Sequence, residues 1–251
     1  MDGAAGFALL GVAAFGAGVL NAIAGGGSFL TFPALVFTGV PAIAANATSA
    51  LAVSPGYLGS TLGFRPELRA LPDALLRREL LLSALGGLAG ALLLLVTPAR
   101  LFAGLVPWLL LFATALFALG PLLTRSAGQD GQAWQTWRQP GLLATAVYGG
   151  YFNGGLGILL MALYTLTGES RLNTVNALKN LNSLVLSLLS VAAFAWAGAI
   201  VWPQALLMMA AATAGGLAGA RLARRLPVTW VRAIVIATGL VMSALFFQRA
   251  G

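Results

Sequence analysis

Long apolar runs separated by short polar gaps make up most of the chain. Seven of these runs are close to the roughly 20 residues that an α-helix needs to cross a bilayer. They cover residues 6–24, 42–64, 80–96, 101–123, 175–201, 205–220 and 231–247. This pattern predicts an all-α integral membrane protein.

Two further apolar stretches are interrupted by glycine. The short stretch 25–39 opens with the triplet Gly25-Gly26-Gly27, and the stretch 141–168 is broken by Asn153-Gly154-Gly155. Apolar segments of about half the bilayer thickness are typical of discontinuous or re-entrant helices. We therefore expect two glycine-broken helix pairs and about eight to ten transmembrane segments in total.

The first run, residues 6–24, differs from a secretory leader. A leader begins with a positively charged region, whereas here Asp2 precedes the run without any Lys or Arg. We interpret this run as part of the mature membrane domain.

Arginines are concentrated in three of the polar gaps. An excess of Lys and Arg is typical of cytoplasmic loops. The sequence therefore predicts that these gaps face the cytoplasm and that both termini lie outside. The arginines concerned are Arg65, Arg69, Arg77 and Arg78, then Arg125 and Arg138, and finally Arg221, Arg224, Arg225 and Arg232.

The chain contains an internal repeat at a constant offset of 129 residues. Among the matching blocks are Thr38-Gly39 with Thr167-Gly168, and Gly86-Gly87-Leu88-Ala89-Gly90 with Gly215-Gly216-Leu217-Ala218-Gly219. We predict two membrane repeats of about 120 residues. They cover residues 1–123 and 141–251, and a cytoplasmic linker at 124–140 joins them.

The charges around the two repeats indicate that they are inverted. The segment 42–64 ends at an arginine-rich gap, whereas its counterpart 175–201 ends at an uncharged turn near Trp202. Inverted repeats with broken helices are the build of many secondary transporters. In both GGLAG blocks, glycines spaced four residues apart let helices approach closely in lipid, so we predict a packing role for them and no substrate role.

Composition agrees with a membrane protein and removes most enzyme chemistry. The chain is 59% hydrophobic and 8% charged, against about 25% charged in a typical soluble domain. It has no Cys and no His, which excludes thiolate nucleophiles, disulfides and the commonest metal ligand. We predict a non-enzyme without metal or cofactor. The net charge of +8 is assigned to membrane topology rather than to nucleic-acid binding.

Polar groups are costly inside a bilayer, so those that occur mark candidate sites. One group surrounds the first glycine break: Asn21, Gly25, Gly26, Gly27 and Ser28. A half-helix that begins here directs unpaired backbone amides and the positive end of its dipole into the break. This favours an anion, with Ser28 either capping the helix or donating to the ligand. The alternative is a hinge without a ligand.

The second break and the helices that follow both breaks supply the other candidates. They are Asn153, Gly154 and Gly155 at the second break, Asn46, Thr48 and Ser49 in the first half, and Asn176, Lys179 and Asn180 in the second. We predict that these residues contribute to one substrate site between two facing helix starts.

Lys179 is the single lysine of the chain. It lies in a polar stripe at helical spacing with Asn173, Asn176, Asn180 and Ser183. A cation among amides calls for an anion. The alternatives are snorkelling to the membrane interface and an ion pair with the carboxylate at position 169.

Acidic and tyrosine residues give weaker signals. No Asp or Glu falls squarely inside a predicted run, so no buried carboxylate relay for protons is expected, and any proton coupling would use Glu169 or the substrate itself. Tyr57, Tyr148 and Tyr151 are candidates for a pathway lining, but an aromatic belt at the membrane interface is the favoured interpretation.

Several short motifs together characterise the chain. They are the segment 21–33, which reads Asn-Ala-Ile-Ala-Gly-Gly-Gly-Ser-Phe-Leu-Thr-Phe-Pro, the element Ala45-Asn46-Ala47-Thr48, the stretch from Pro55-Gly56 to Gly63-Phe64-Arg65, and Asn176-Ala-Leu-Lys179-Asn180. In these motifs, and over essentially its whole length, the sequence resembles the TauE/SafE family. The resemblance implies a permease with two inverted halves that moves small anions such as sulfite, sulfonates or related sulfur compounds.

The preferred function is a secondary transporter of small anions that works by alternating access. A channel-like anion pore and a non-transporting structural or assembly subunit are the alternatives. We expect a multi-pass protein of the bacterial cell membrane whose partners are a small anionic substrate and the lipid bilayer. A homodimer is compatible with the sequence.

Overall fold

The computed structural model describes residues 3–23, 26–126, 135–222 and 228–250. Every regular element in these ranges is helical. The helices are α1 (Gly3–Ile23), α2 (Ser28–Phe37), α3 (Ala42–Gly63), α4 (Arg65–Arg69), α5 (Asp73–Val96), α6 (Ala99–Ser126), α7 (Arg138–Tyr151), α8 (Leu156–Leu166), α9 (Leu172–Trp196), α10 (Trp202–Leu222) and α11 (Val228–Ala250), with a 3-10 turn at Gln135–Trp137. The predicted all-helical class is confirmed.

The helices follow the apolar runs closely, with one consequential difference. α5 begins at Asp73 and not at residue 80, because Pro72 and Asp73 form a helix start and the arginines after them do not interrupt the helix. Residue 79 therefore lies inside a helix. In the gap between α3 and α5, residues 65–69 form the short helix α4, which the pattern does not predict.

Four helices of the described chain are long and apolar enough to cross a membrane. They are Gly3–Ala22 in α1, Asp73–Val96 in α5, Ala99–Leu119 in α6 and Leu172–Trp196 in α9. Large apolar side chains lie exposed along α5, including Leu81, Leu85 and Leu92. Such a surface fits a lipid environment, while the total of about eight to ten crossings stays a prediction.

Both glycine-broken stretches form short helices. α2 has 10 residues and α8 has 11. At a rise of about 1.5 Å per residue they span about half of a bilayer core of ~30 Å. These lengths agree with half-helices; whether they are re-entrant stays a prediction.

The helices of the two predicted halves pack mainly across the boundary between them. The most extensive contacts join α1 to α10 and α5 to α7, followed by α5 with α9, α6 with α11, and α3 with α9. A main cluster of buried apolar residues runs through both halves, with Phe32 and Leu35 from α2 and Met208 from α10 among its members.

Glycines of both GGLAG blocks make close helix contacts, as predicted. A Cβ atom on Gly90 of α5 would lie 2.1 Å from the carbonyl oxygen of Val147 in α7. A Cβ atom on Gly215 of α10 would lie 2.0 Å from the carbonyl oxygen of Phe15 in α1. Because no side chain fits at such distances, glycine permits these backbone contacts.

Some predictions concern residues outside the described ranges. Asp2, Arg224 and Arg225, which contribute to the predicted topology, lie there. The predicted linker 124–140 contains the end of α6 and the start of α7, and its residues 127–134 also lie outside the described ranges.

Candidate substrate site

A cavity of about 350 Å³ lies between α1, α3, α9 and α10. Its polar lining includes Asn21 of α1, Tyr57 and Ser60 of α3, and Asn180 of α9. One water molecule takes about 30 Å³ in the liquid, so the cavity has room for a small polyatomic anion. Two predicted site residues from different halves, Asn21 and Asn180, meet at this cavity.

The first glycine break leads directly into α2. Gly27 is the N-cap of α2 and Ser28 is its first residue, so Ser28 does not cap the helix. The carbonyl of Gly26 already accepts a bond from the amide of Phe29 at 3.1 Å. A Cβ atom on Gly27 would lie 2.7 Å from the carbonyl oxygen of Ala17. Gly25, also predicted to be a site residue, lies outside the described residues.

The second glycine break depends on a left-handed backbone. Gly155 is the N-cap of α8 and has a φ of 76°, a conformation that other residues rarely adopt. The preceding carbonyl, that of Gly154, accepts a hydrogen bond from the Tyr148 hydroxyl at 2.7 Å. These contacts fix the backbone where α8 begins.

The two breaks lie close together inside the protein. The rings of Phe32 and Phe152 pack edge to face with centroids 5.5 Å apart. A Cβ atom on Gly155 would lie 3.7 Å from the ring of Phe29. Residues next to both helix starts are therefore in mutual contact.

Asn46 of α3 joins the halves at the second break. Its amide nitrogen donates to the carbonyl of Tyr151 at 3.1 Å, and its oxygen accepts a long bond from the backbone N–H of Asn153 at 3.5 Å. Asn46 is 2% exposed. Its side chain supports the backbone of the break and does not point freely into the cavity.

The Asn153 side chain is buried without a completed hydrogen bond. The residue is 4% exposed, and neither its amide nitrogen nor its oxygen has a hydrogen-bond partner among the described residues. The Tyr57 hydroxyl faces both Asn21 and Asn153, although its approach to Asn153 does not complete a bond. Buried polar atoms are usually paired, so Asn153 stays a candidate ligand-binding residue.

The tyrosines do not form the interfacial belt favoured by the sequence. Tyr57 is buried and lines the cavity. Tyr148 donates to the second break, and the ring of Tyr151 packs on Phe102 at 5.6 Å. Interior partners therefore determine the positions of these side chains, and a hydropathy pattern does not record such partners.

Lys179 is a buried cation without a counter-charge in the described part of the chain. It lies on α9, which begins at Leu172, about 10 Å along the axis from the helix start. Lys179 is 7% exposed and forms no ion pair with a described residue. Glu169 pairs instead with Arg171 at 3.4 Å. Neither snorkelling nor the Glu169 pair accounts for Lys179.

Three other predicted site residues have partners within the protein. The Thr48 hydroxyl accepts a bond from the amide of Val201 at 3.0 Å. Ser49 shares a hydrogen bond of 2.6 Å with Thr31, and Asn176 donates to the carbonyl of Leu172 at 3.0 Å within its own helix. None of these three side chains is among the described lining of the cavity.

The prediction that no carboxylate is buried in a membrane segment is wrong. Glu79 is 3% exposed, and it pairs with Arg138 of α7 at 3.0 Å. The hydropathy pattern misses Glu79 because this residue falls just before the predicted run that begins at residue 80, and because its neighbours Arg77 and Arg78 suggest a polar gap. The helix-start signal at Pro72-Asp73 would have extended the helix over it.

The described residues offer anion-binding chemistry. No three His, Cys, Asp or Glu side chains within the described ranges are grouped as metal ligands would be. The groups at the cavity and the breaks are side-chain amides, hydroxyls and helix N-termini, which act mainly as donors toward an anion. Lys179 precedes the cavity residue Asn180 on α9 and is not itself among the lining residues.

The structure combines apolar helices with lipid-compatible surfaces, two glycine breaks whose neighbouring residues are in contact, and a buried cation without an ion pair among the described residues. These features are typical of membrane permeases. The chain matches the family described as "Sulfite exporter TauE/SafE" over residues 10–246. It belongs to this family and is a membrane transporter, as the sequence motifs predict.

Similar proteins carry the same general description. The chain is 30% identical to a probable membrane transporter protein of Haemophilus influenzae, over 94% of this chain and 92% of that protein. It is 28% identical to the probable membrane transporter protein YfcA of Escherichia coli, over 91% and 84% of the two chains. A probable membrane transporter protein of Sinorhizobium, ORF9, is 30% identical over 86% and 82%. No solved structure matches this chain significantly.

Proposed function

We propose that this protein is a secondary transporter that carries small anions across the bacterial cell membrane, with sulfite, sulfonates or related sulfur compounds as substrates. The observation that carries the proposal is Lys179, a buried ammonium that forms no ion pair with a described residue. A buried charge is costly unless a counter-charge balances it. A transported anion supplies that counter-charge when it binds.

The polar residues of the cavity and of the second break favour an oxyanion. Asn180 follows Lys179 on α9 and lines the cavity, together with Asn21 and Tyr57. The Asn153 side-chain amide adds a buried donor without a hydrogen-bond partner among the described residues. Several neutral donors with one cation suit the oxygens of a sulfite or sulfonate group, and the name of the matching family points to the same substrate class.

The helix starts support the same substrate class. α2 and α8 begin at glycine breaks whose neighbouring residues are in contact. The N-terminus of each helix carries unpaired amides and a partial positive charge. An anion held between α2, α8 and Lys179 would interact with both halves of the chain.

Movement of one half against the other is our proposed transport mechanism. The corresponding pairs α1 with α10 and α7 with α5 provide equivalent large interfaces between the halves. Inverted repeats related in this way allow alternating access by rocking around a central site. A channel-like pore is the alternative, and the transport experiment below distinguishes it from alternating access.

Proteoliposomes loaded with unlabelled sulfite or methanesulfonate test the proposal. Labelled anion outside should exchange with unlabelled anion inside, and the labelled uptake should saturate with concentration. Lys179→Met should weaken the apparent affinity at least tenfold, and Lys179→Arg should recover part of it. Arg100→Gln, at an exposed arginine, is the matched control and should behave as the wild type.

Each other outcome contradicts a defined part of the proposal. Flux that does not saturate and shows no exchange would indicate a pore. Absence of flux for every anion tested would reject transport of this class. An unchanged affinity in Lys179→Met would remove Lys179 from the site.

A further inference from the structure

A second buried polar cluster lies between α5, α7, α8 and α9. One oxygen of the Glu79 carboxylate accepts from the Arg138 guanidinium at 3.0 Å. The other accepts from the Tyr164 hydroxyl and from the Asn182 amide. Ser83 donates to the amide oxygen of Asn182 at 2.7 Å and thereby orients that amide. All the side chains around the carboxylate act as hydrogen-bond donors toward it, and Arg138 supplies the opposite charge.

The fold does not require polar residues at these positions. At the repeat offset of 129 residues, Glu79, Ser83, Tyr164 and Asn182 correspond to Met208, Ala212, Leu35 and Val53. All four of these apolar residues are buried. The first and second halves therefore fill corresponding positions with different chemistry. Since well-packed apolar residues often replace a buried ion pair without loss of stability, packing alone does not account for the ionic version.

The ion pair joins the two predicted halves. Glu79 belongs to α5 in the first half, and Arg138 is the first residue of α7, the helix that runs from the predicted linker into the second half. Any rocking of one half against the other changes the distance between their side chains. The pair is thus a contact that a transport cycle can open and close.

The helices of the cluster also reach the anion site. α7 ends at Tyr151, two residues before Asn153, whose side chain has no hydrogen-bond partner among the described residues. On α9, Asn182 follows Lys179 by three residues, which is about 4.5 Å along the helix axis. Movement of α7 or α9 upon anion binding therefore affects the surroundings of Glu79.

Separation of Arg138 would leave Glu79 with neutral donors only. A buried carboxylate without a counter-charge takes up a proton and becomes neutral. The Arg138 side chain is 16% exposed, so the edge of the cluster reaches the surface and water can deliver that proton. In the described part of the chain, Arg138 is the charged group and Tyr164 the titratable group that face Glu79; α9 contributes the neutral Asn182. On α5 itself, Asp73, Arg77 and Arg78 are exposed.

We propose that Glu79 is the proton-binding residue of this transporter, which couples anion movement to proton movement. Its carboxylate takes one proton from water when Arg138 separates, and it returns that proton to water when the ion pair forms again. This inference rests on the proposed transport function, because the proton carries energy only if an anion moves with it or against it.

Methanesulfonate flux in proteoliposomes tests the coupling. This anion stays ionised across the working pH range, so an effect of pH on its movement belongs to the protein. A pH gradient should change its accumulation in the wild type. Glu79→Gln should keep exchange at equal pH and lose at least nine-tenths of the gradient effect. Asp73→Asn, which neutralises an exposed carboxylate of the same helix, should respond as the wild type.

A double variant covers the case in which Glu79→Gln does not fold. Glu79→Met with Arg138→Met replaces the ion pair by apolar side chains, as Met208 does at the position that corresponds to Glu79, and should fold, exchange the anion and ignore the gradient. A gradient response equal to the wild type in either variant would overturn the proposal.

Infrared titration separates failure of the coupling from failure of transport, because it needs no substrate. Acidification of the purified wild type should produce a carboxylic acid band that is missing in Glu79→Gln and present in Asp73→Asn. A band that is unchanged in Glu79→Gln, or no such band in the wild type, would overturn proton binding at Glu79. Exchange without a gradient effect would reject the coupling alone, whereas absence of exchange would reject the proposed transport.

Discussion

The side-chain amide of Asn46 donates a hydrogen bond to the carbonyl oxygen of Tyr151, which is 3.1 Å away and 105 positions later in the chain. α7 ends at Tyr151, so no further turn of helix donates a hydrogen bond to this carbonyl. Asn46 from the first half thus satisfies a backbone group at the helix break of the second half. The glycine break is maintained by its tertiary partner as well as by its own sequence.

Asn46→Leu should destabilise the second break. The substitution removes the Asn46 side chain that bonds to the Tyr151 carbonyl and to the backbone N–H of Asn153. Each buried group left without a partner costs about 1–3 kcal/mol. We expect a lower melting temperature in detergent and slower anion exchange. Asn173→Leu is the control, since Asn173 is exposed, and it should change neither quantity. Equal melting temperatures for the two variants would contradict this role of Asn46.

Asn153→Leu should have the opposite effect on stability. It removes two buried polar atoms that have no partner among the described residues, so we expect the free energy of unfolding to rise by about 1–2 kcal/mol while anion exchange falls. Asn182→Leu is the matched comparison at a buried asparagine that bonds to Glu79 and Tyr164. It should lower the free energy of unfolding by about 2–3 kcal/mol. Similar destabilisation by both substitutions would show that Asn153 is an ordinary structural residue.

Gly90→Ala should weaken the packing of α5 on α7. The added methyl group would lie 2.1 Å from the carbonyl oxygen of Val147, and the helices must separate to admit it. Such overpacking costs about 1–3 kcal/mol, which thermal unfolding in detergent can detect. Gly104→Ala is the control, because a Cβ atom there has nothing within 4 Å. It should leave the melting temperature unchanged or slightly higher.

Single cysteines can test the predicted orientation without any background mutation, because the chain has no Cys. Ala70, Ala99, Thr136 and Ala197 are exposed positions in four connections between helices or at their ends. Ala70→Cys and Thr136→Cys should react with an impermeant thiol reagent only from the cytoplasmic side, and Ala99→Cys and Ala197→Cys only from outside. Labelling of Ala70→Cys and Thr136→Cys from opposite sides would refute the predicted topology.

The helical architecture follows from local properties of the sequence. The length of each apolar run determines a helix, and the glycine breaks at 25–27 and 153–155 interrupt two of them. These signals depend on neighbouring residues only. For this reason the predicted runs and the observed helices agree closely, and the α5 start at Asp73 differs because the arginines after it suggest a gap.

The composition of the candidate site was less accessible from the sequence. Asn21 and Asn180 line the cavity as part of the predicted set, but Thr48 and Ser49 bond to other protein groups. A polar residue in a membrane segment can bind a substrate or satisfy the backbone, and its sequence position is the same in both cases. Its role depends on which group faces it after the helices pack.

The sequence by itself determined that this chain is a helical membrane protein with two glycine breaks and a single lysine, because hydropathy, glycine content and charge are local quantities. Only the tertiary structure decided that Lys179 has no described carboxylate beside it, while Glu79 has Arg138 at 3.0 Å. Pairing of charges depends on distances between helices that are far apart in the chain. Such distances are set by the packing of the whole molecule, and no single run of residues contains them.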